Sequence, residues 1–318
     1  MQNQAKTNRR AIIDMGTNTF HLMIVDETDT VLFKISQAAK IGMAGINQGF
    51  ITPEATDRAV AVLGGFRKKI DEYGVRLGCV LAVGTSAVRN ATNQDEFCAV
   101  VLAQTGISVA VISGQQEAAF IYEGVKRALQ IGPDPALIID IGGGSVEFII
   151  ANAERIFWKQ SFEIGGQRLL EKYMTTDPIA DSAINKMNAY FQEVLLPFHN
   201  AYHQYAPTTL IGSSGSFDTF VDVYFMNQFG HLPANGEVAF GLPLAEVSRI
   251  YAQLITKTRA ERMAIAGMIE LRVEMIVVAA VLVKYILSNY NIKNIKVSSF
   301  ALKEGLLSQT LPFGNFMN

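Results

Sequence analysis

The sequence predicts an α/β protein built from two copies of one folding unit. Three observations carry this. A short apolar strand ending in Asp, a glycine turn and two further apolar runs occur at Ala11–Ser36 and again at Ala136–Ile164. In each copy a later strand empties into a loop of small and hydroxyl residues, at Val80–Ala87 and Thr208–Ser216. The spacing between copies is nearly constant, 126 positions from Asp14 to Asp140 and 128 from Gly84 to Gly212. A solenoid would repeat at a much shorter period.

The elements follow in order. Ala11-Ile12-Ile13, Phe20–Val25 and Val31–Ile35 read as a three-strand meander, with polar turns between the runs. Pro53–Tyr73 reads as a helix, with Thr52 as its N-cap and Pro53 at the first helical position. Val80–Val83 is a strand, Ile107–Ile112 another, and Glu117–Gln130 the helix after it. The second copy repeats the meander through Leu137-Ile138-Ile139, Val146–Ile150 and Ile156–Phe162. Asp177–Gln204 takes the helical role of Pro53–Tyr73, and Thr208–Ile211 is a strand. A helical block, Leu244–Asn289, interrupts this copy before the final strand, Ile295–Ser299, and helix, Ala301–Leu307. A meander followed by αβαβ, twice, predicts two lobes facing each other across a cleft lined by strand-end loops.

Composition bounds the function. At 318 residues the chain suits about two domains. It is 49% hydrophobic and 18% charged, which argues against disorder. A net charge of −2 gives no field for a polyanion at large, so nucleic acid is not an expected partner. An anion must be held by a local cluster. Cys79 and Cys98 have no partners at metal spacing and read as thiols of a reducing compartment. Met1–Arg10 is polar, and the most apolar run, Met275–Val283, is bracketed by Glu274 and Lys284 and too short for a bilayer. The expectation is a cytoplasmic protein with no membrane partner.

Four loops suit phosphate chemistry. In Asp14-Met15-Gly16-Thr17-Asn18-Thr19 the glycine allows a tight turn, and the Thr and Asn side chains add donors for phosphate oxygens. A plain hairpin turn would look similar. Asp140-Ile141-Gly142-Gly143-Gly144-Ser145-Val146-Glu147 is stronger, because three glycines inside a sheet imply close approach of a ligand to the main chain. Asp140 and Glu147 beside a phosphate would repel it unless a divalent cation lay between them. Glu117, in Ser113-Gly114-Gln115-Gln116-Glu117, falls in a first helical turn. It is either a general base that orients water or an acid complementing the helix dipole. Arg89, just past the loop from Gly84, could fork onto a phosphate or lie solvated. His199 and His203, four apart on a helix, lack the acid of a metalloprotease pattern and read as surface or packing residues.

Taken together, these four segments resemble the exopolyphosphatase and guanosine pentaphosphate phosphohydrolase (Ppx/GppA) family. Echoes continue at Ser161–Leu169 with Gly165 and Arg168, at Gly212–Ser216, at Arg272-Val273-Glu274 and at Leu302-Lys303-Glu304-Gly305. The chain is similar to the short form, which lacks the C-terminal helical phosphohydrolase-like domain. The resemblance implies two actin-like (ribonuclease H-like) lobes with a central cleft. The first lobe would take 1–124 plus about 301–318, and the second 125–300 with its helical insertion. It implies Glu117 and Glu147 as catalytic acids. Thr17, Asn18, Arg89, Gly143, Gly144, Ser145, Gly215 and Ser216 would bind substrate phosphate. Asp140, Glu147 and Asp14 would hold Mg2+ or Mn2+. The family often has Ser at the positions of Thr17 and Thr19, Thr at Val146 and Asp at Glu274. The expected activity is hydrolysis of terminal phosphate from inorganic polyphosphate. Guanosine pentaphosphate is the alternative substrate, and a homodimer is an allowed assembly. Two rivals are an ATP-binding switch or sugar kinase of the same superfold, and a weakly catalytic sensor of polyphosphate or alarmones.

Overall fold

The chain begins its regular structure with a meander. In a computed structural model that describes residues 9–309, β1 (Arg10–Met15), β2 (Thr19–Val25) and β3 (Val31–Ala38) pair antiparallel in sequence order. α1 (Pro53–Glu72) follows, and Thr52 Oγ1 accepts from the Ala55 N–H at 3.2 Å. Ala55, Ala59, Leu63, Phe66 and Ile70, spaced by three or four, form its buried stripe. β4 (Val80–Gly84), α2 (Ser86–Arg89), α3 (Gln94–Thr105), β5 (Val109–Val111) and α4 (Gly114–Ala128) come next. β4 and β5 run parallel to β1, giving the order β3-β2-β1-β4-β5. This is the ribonuclease H-like arrangement of an actin-like lobe.

The second copy repeats it with β6 (Ala136–Ile141), β7 (Val146–Ala151), β8 (Ile156–Phe162), α5 (Gly166–Tyr173), α6 (Asp181–Val194), α7 (Leu196–Tyr205) and β9 (Thr209–Ser213). α8 (Ser214–Phe229), β10 (Ala239–Gly241), α9 (Leu244–Thr256), α10 (Arg259–Met263), α11 (Met275–Asn289), β11 (Asn294–Ser298) and α12 (Leu302–Gly305) complete it. The sheet order is β10-β11-β9-β6-β7-β8. β10 is an added antiparallel edge strand that the sequence reading does not contain. The chain divides into two units. One takes the described residues up to Gln116 and from Leu306 onward, and the other is Glu117–Gly305. Within the first unit, Arg10 Nη1 donates to the Leu307 and Gln309 carbonyls at 3.3 and 3.2 Å.

The duplication extends to hydrogen-bond register. Asp14 pairs with His21 as Asp140 pairs with Glu147, and His21 pairs with Ser36 as Glu147 pairs with Ser161. Each meander even shifts register at the same place, Ile24/Val25 in one and Ile150/Ala151 in the other. The later strand departs from the expected equivalence. Asp14 pairs with Val83 and Asp140 with Ser213, so Gly84 corresponds to Ser214 and not to Gly212. Gly212 lies inside β9, where a Cβ would overlap the Phe217 ring, so it is a packing glycine.

Helical expectations hold with breaks. Asp177–Gln204 is two helices, because Leu195 caps α6 and Pro197 lies in the first turn of α7. Leu244–Asn289 is α9, α10 and α11, with residues 264–274 forming turns. α11 is apolar nearly all round because it is buried against α5, α6 and α9. Among the described residues no helix is long and apolar enough to cross a membrane. α4 and α12 touch backbone to backbone: a Cβ on Gly124 would overlap the Ala301 carbonyl, and one on Gly305 the Phe120 carbonyl.

Candidate functional site

Within Glu117–Gly305 the site begins at the β6–β7 turn. Gly142 N–H closes it on the Ser145 carbonyl at 3.0 Å. The start of α5 then captures the loop carbonyls. Gly166 N–H donates to Gly142 O and Gln167 N–H to Gly143 O, both at 2.8 Å, and Gly165 N–H to Gly144 O at 3.1 Å. Arg168 Nε adds a bond to Gly144 O at 2.9 Å. In a trans peptide the following N–H points opposite its carbonyl. The amides of Gly143, Gly144 and Ser145 are therefore directed away from α5, as a nest that suits anionic oxygens.

Acids crowd beside this loop. Asp140 is the last residue but one of β6 and Glu147 lies directly across from it on β7, where like charges repel. Glu147 is 1% exposed and accepts from Ser161 Oγ at 2.6 Å. Burial, then the neighbouring Glu117 and Asp140, push its carboxyl well above the usual range against the Ser161 and Ser145 hydroxyls. Asp140 accepts from Ser213 Oγ at 3.2 Å. Burial pushes it up to about 6, opposed by Ser213, Lys303 and Ser214 and aided by Asp218. Glu117 sits buried in the first turn of α4. The expected Glu117, Asp140 and Glu147 are thus brought together.

The β9–α8 junction forms another wall. Ser214 has a φ of 72°, unusual for a residue with a side chain. Ser216 Oγ donates to the Ile141 carbonyl at 3.4 Å and ties α8 to the end of β6. A Cβ on Gly215 would overlap the Arg272 guanidinium, so the glycine seats that side chain against the loop. Burial lowers the Arg272 pKa, while Asp218 and Asp140 act in the opposite sense. Asp218 accepts from Ser299 Oγ at 2.8 Å, and burial raises its pKa. Arg272, Asp218 and Lys303 are absent from the residues expected at the site. Arg272 and Lys303 do stand within segments that carry the resemblance, and that was the available signal. Asp218 lies two residues past the Gly212–Ser216 segment, on the helix that this loop opens.

Asp14, Thr17, Asn18 and Arg89 belong to the first unit. Gly42 N–H donates to Thr17 O, and Ala39 and Lys40 N–H to Asn18 O, at 2.9–3.0 Å. The amides of Asn18 and Thr19 therefore point the other way. Thr17 and Thr19 are buried with no partner for their hydroxyls among the described residues. Asp14 is partly exposed, and Arg89 Nη1 is held by the Ile112 carbonyl at 3.1 Å.

Among the described residues no three His, Cys, Asp or Glu side chains stand where they could jointly hold a metal ion. A cavity of about 830 Å3 lies elsewhere in the second unit, lined by residues such as Asn188, Gln192, His199, Tyr251, Lys284 and Tyr285, and contains none of the expected site residues.

The chain is 43% identical to an exopolyphosphatase from Cytophaga hutchinsonii, with a TM-score of 0.90 over 94% of this chain and 96% of that one. A Ppx/GppA enzyme from Aquifex aeolicus, 23% identical, shares the fold at a TM-score of 0.75 over 94% and 98% of the two chains. A bifunctional 3-dehydroquinate synthase/phosphatase from Fusobacterium nucleatum is 34% identical over 179 residues, 54% of this chain. That match spans only 27% of the relative's length. The sequence profile of the Ppx/GppA phosphatase family matches residues 23–313, nearly the whole chain, and the protein belongs to that family.

Proposed function

We propose that the chain releases terminal phosphate from inorganic polyphosphate by attack of water, with guanosine pentaphosphate as the alternative substrate. The observation that carries this is the buried Glu117, Asp140 and Glu147 cluster beside the amides of Gly143, Gly144 and Ser145. Amides and acids side by side suit a phosphate and the water that attacks it.

The loop amides bind the terminal phosphate and take up charge that grows on its oxygens. Arg272, seated on Gly215 at the start of α8, adds a guanidinium to the same phosphate, and Ser216 holds that turn in place. Glu117 orients the water and accepts its proton as the water oxygen bonds to phosphorus. The bridging P–O bond breaks, and its electron pair leaves with the shortened chain. In the first unit, Thr17, Asn18 and Arg89 are assigned to phosphate oxygens and Asp14 to metal, with the two units acting as two domains.

A divalent cation fits the residues present. Two opposed carboxylates, both with pKa raised first by burial and Glu147 further by its acidic neighbours, form a hard-oxygen set short of charge compensation. Within the second unit, Mg2+ or Mn2+ would be held by Asp140 and Glu147 and complete its shell with water and phosphate oxygens. Bound there, it would act as a Lewis acid on the phosphoryl oxygens.

The test is phosphate release measured on short polyphosphate, long polyphosphate, guanosine pentaphosphate and ATP, with Mg2+ and with excess chelator. Release from polyphosphate that chelator abolishes is expected. Release from guanosine pentaphosphate alone selects the alternative substrate. No release from any of the four, or full turnover in chelator, overturns the reading.

A further inference from the structure

Arg262 is a fully buried cation just ahead of the segment that carries Arg272, and it does not itself belong to the site. Burying a guanidinium is costly, and a well-packed apolar side chain would fill the space at less cost. Its bonds show what it joins. Nη1 donates to Asp177 Oδ1 at 2.7 Å and to the Lys257 carbonyl, and Nε donates to the Val273 carbonyl at 3.0 Å. Nη2 has no protein partner among the described residues. One planar group therefore pins the turn at Asp177, the end of α9 and the last residues before α11.

The Val273 carbonyl is the informative partner. The Val277 N–H bonds to Glu274 O, so α11 does not use the Val273 carbonyl through that amide, and Arg262 takes it. Val273 directly follows Arg272. The segment 264–274 that carries Arg272 has only turns to hold its shape. Its middle is pressed on α8: at Gly267, with φ of 89°, a Cβ would stand 2.6 Å from the Asp222 carbonyl oxygen. Its far end is tied by Arg262 and, at the surface, by Arg259 to Glu270 and Glu274, each at 3.2 Å. A strap fixed at these points delivers the Arg272 guanidinium to Gly215, beside Asp140 and Asp218.

We infer that Arg262 is a positioning residue for substrate phosphate: it fixes the Val273 carbonyl and so sets where the Arg272 guanidinium meets the ligand. This rests on the reading of Arg272 as a phosphate ligand. Lysine would keep the charge and lose the planar fork that joins three segments.

The experiment is a double-mutant cycle of Arg262→Lys and Arg272→Ala, with kcat and KM for polyphosphate hydrolysis and melting temperature measured on all four proteins. Residues that act as a unit give non-additive effects. Arg262→Lys should lower kcat/KM roughly tenfold, mainly through KM, when Arg272 is present, and less than about twofold when Arg272 is Ala. The melting temperature should fall equally in both backgrounds. Equal losses of kcat/KM in both backgrounds, or no loss in folded Arg262→Lys, overturn the inference and leave the proposed function standing. Wild-type kcat/KM in Arg272→Ala removes Arg272 from the site and overturns the inference with it. If Arg262→Lys does not fold, Asp177→Asn, at a side chain 36% exposed, replaces it in the same cycle with the same outcomes.

Discussion

Replacing Asp140 by Asn should make the protein more stable at neutral pH while disabling it. Asp140 is 6% exposed, and burial raises its pKa from 3.8 to about 6. Between those values the folded protein holds the proton more tightly than the unfolded chain. Stability contributed by this group therefore falls as pH rises from about 3.8 to about 6, and the full cost stands above 6. The shift corresponds to about 3 kcal/mol at pH 7.5, from roughly 1.4 kcal/mol per pH unit. Asn is neutral throughout, and its Oδ1 still accepts from Ser213 Oγ, so the hydrogen bond survives. Losing the charge also relieves Glu147, whose carboxyl Asp140 helps to raise. Melts in chelator at pH 4, 5.5 and 7.5 check this. The variant should melt roughly 5–10 °C higher at pH 7.5, and the gap should close towards pH 4. Adding Mg2+ should narrow it by stabilising the wild type alone. A variant no more stable than wild type at pH 7.5, or a gap that ignores pH, refutes the reasoning.

Three further substitutions separate chemistry from packing. Glu117→Gln should keep KM and lose about 10²–10⁴ in kcat, since Gln can hold a water but not take its proton; a near-wild-type rate removes Glu117 as base. Gly215→Ala should displace the Arg272 guanidinium and lower kcat/KM by roughly 10–100-fold, the scale of one charge-assisted hydrogen bond, with circular dichroism unchanged. Unaltered kinetics would mean that Arg272 does not need that seat. Gly305→Ala should destabilise the fold by about 1–3 kcal/mol in urea unfolding, because its methyl has only the Phe120 carbonyl to enter; a neutral result would show that α12 can move off α4.

The phosphate loops were legible because each is a contiguous run in which glycine, hydroxyl and acid residues serve one turn. Glu117 was legible as an acid at a helix start, although its neighbours Asp140 and Glu147 come from another strand pair. Arg272, Asp218 and Lys303 were not, because folding alone assembles them. Arg272 rides on turns with no periodicity, and Asp218 lies inside α8, where its partner Ser299 is remote in sequence. The mistaken equivalence of Gly84 and Gly212 has a like cause. Composition made both look like loop glycines, whereas close packing against Phe217 dictates the second. Local pattern reports what a turn needs, and it is silent on what a distant ring or guanidinium needs.

The shared register of the two meanders gives the molecule an internal reference specimen. At one lattice point of the pattern, copy one places His21 against Ser36, with Nδ1 and Oγ 2.7 Å apart. Copy two places Glu147 against Ser161 at 2.6 Å. The serine stands at the same register position in both copies while its neighbour is an imidazole in one and a carboxylate in the other, so the same pocket in the sheet accepts either group. Divergence between the halves then becomes readable from a single chain. The twins agree at Asp14 and Asp140, which occupy equivalent positions of the two meanders. They disagree at His21 and Glu147, and exchanging the two would move a function between the halves without redrawing the sheet that houses it.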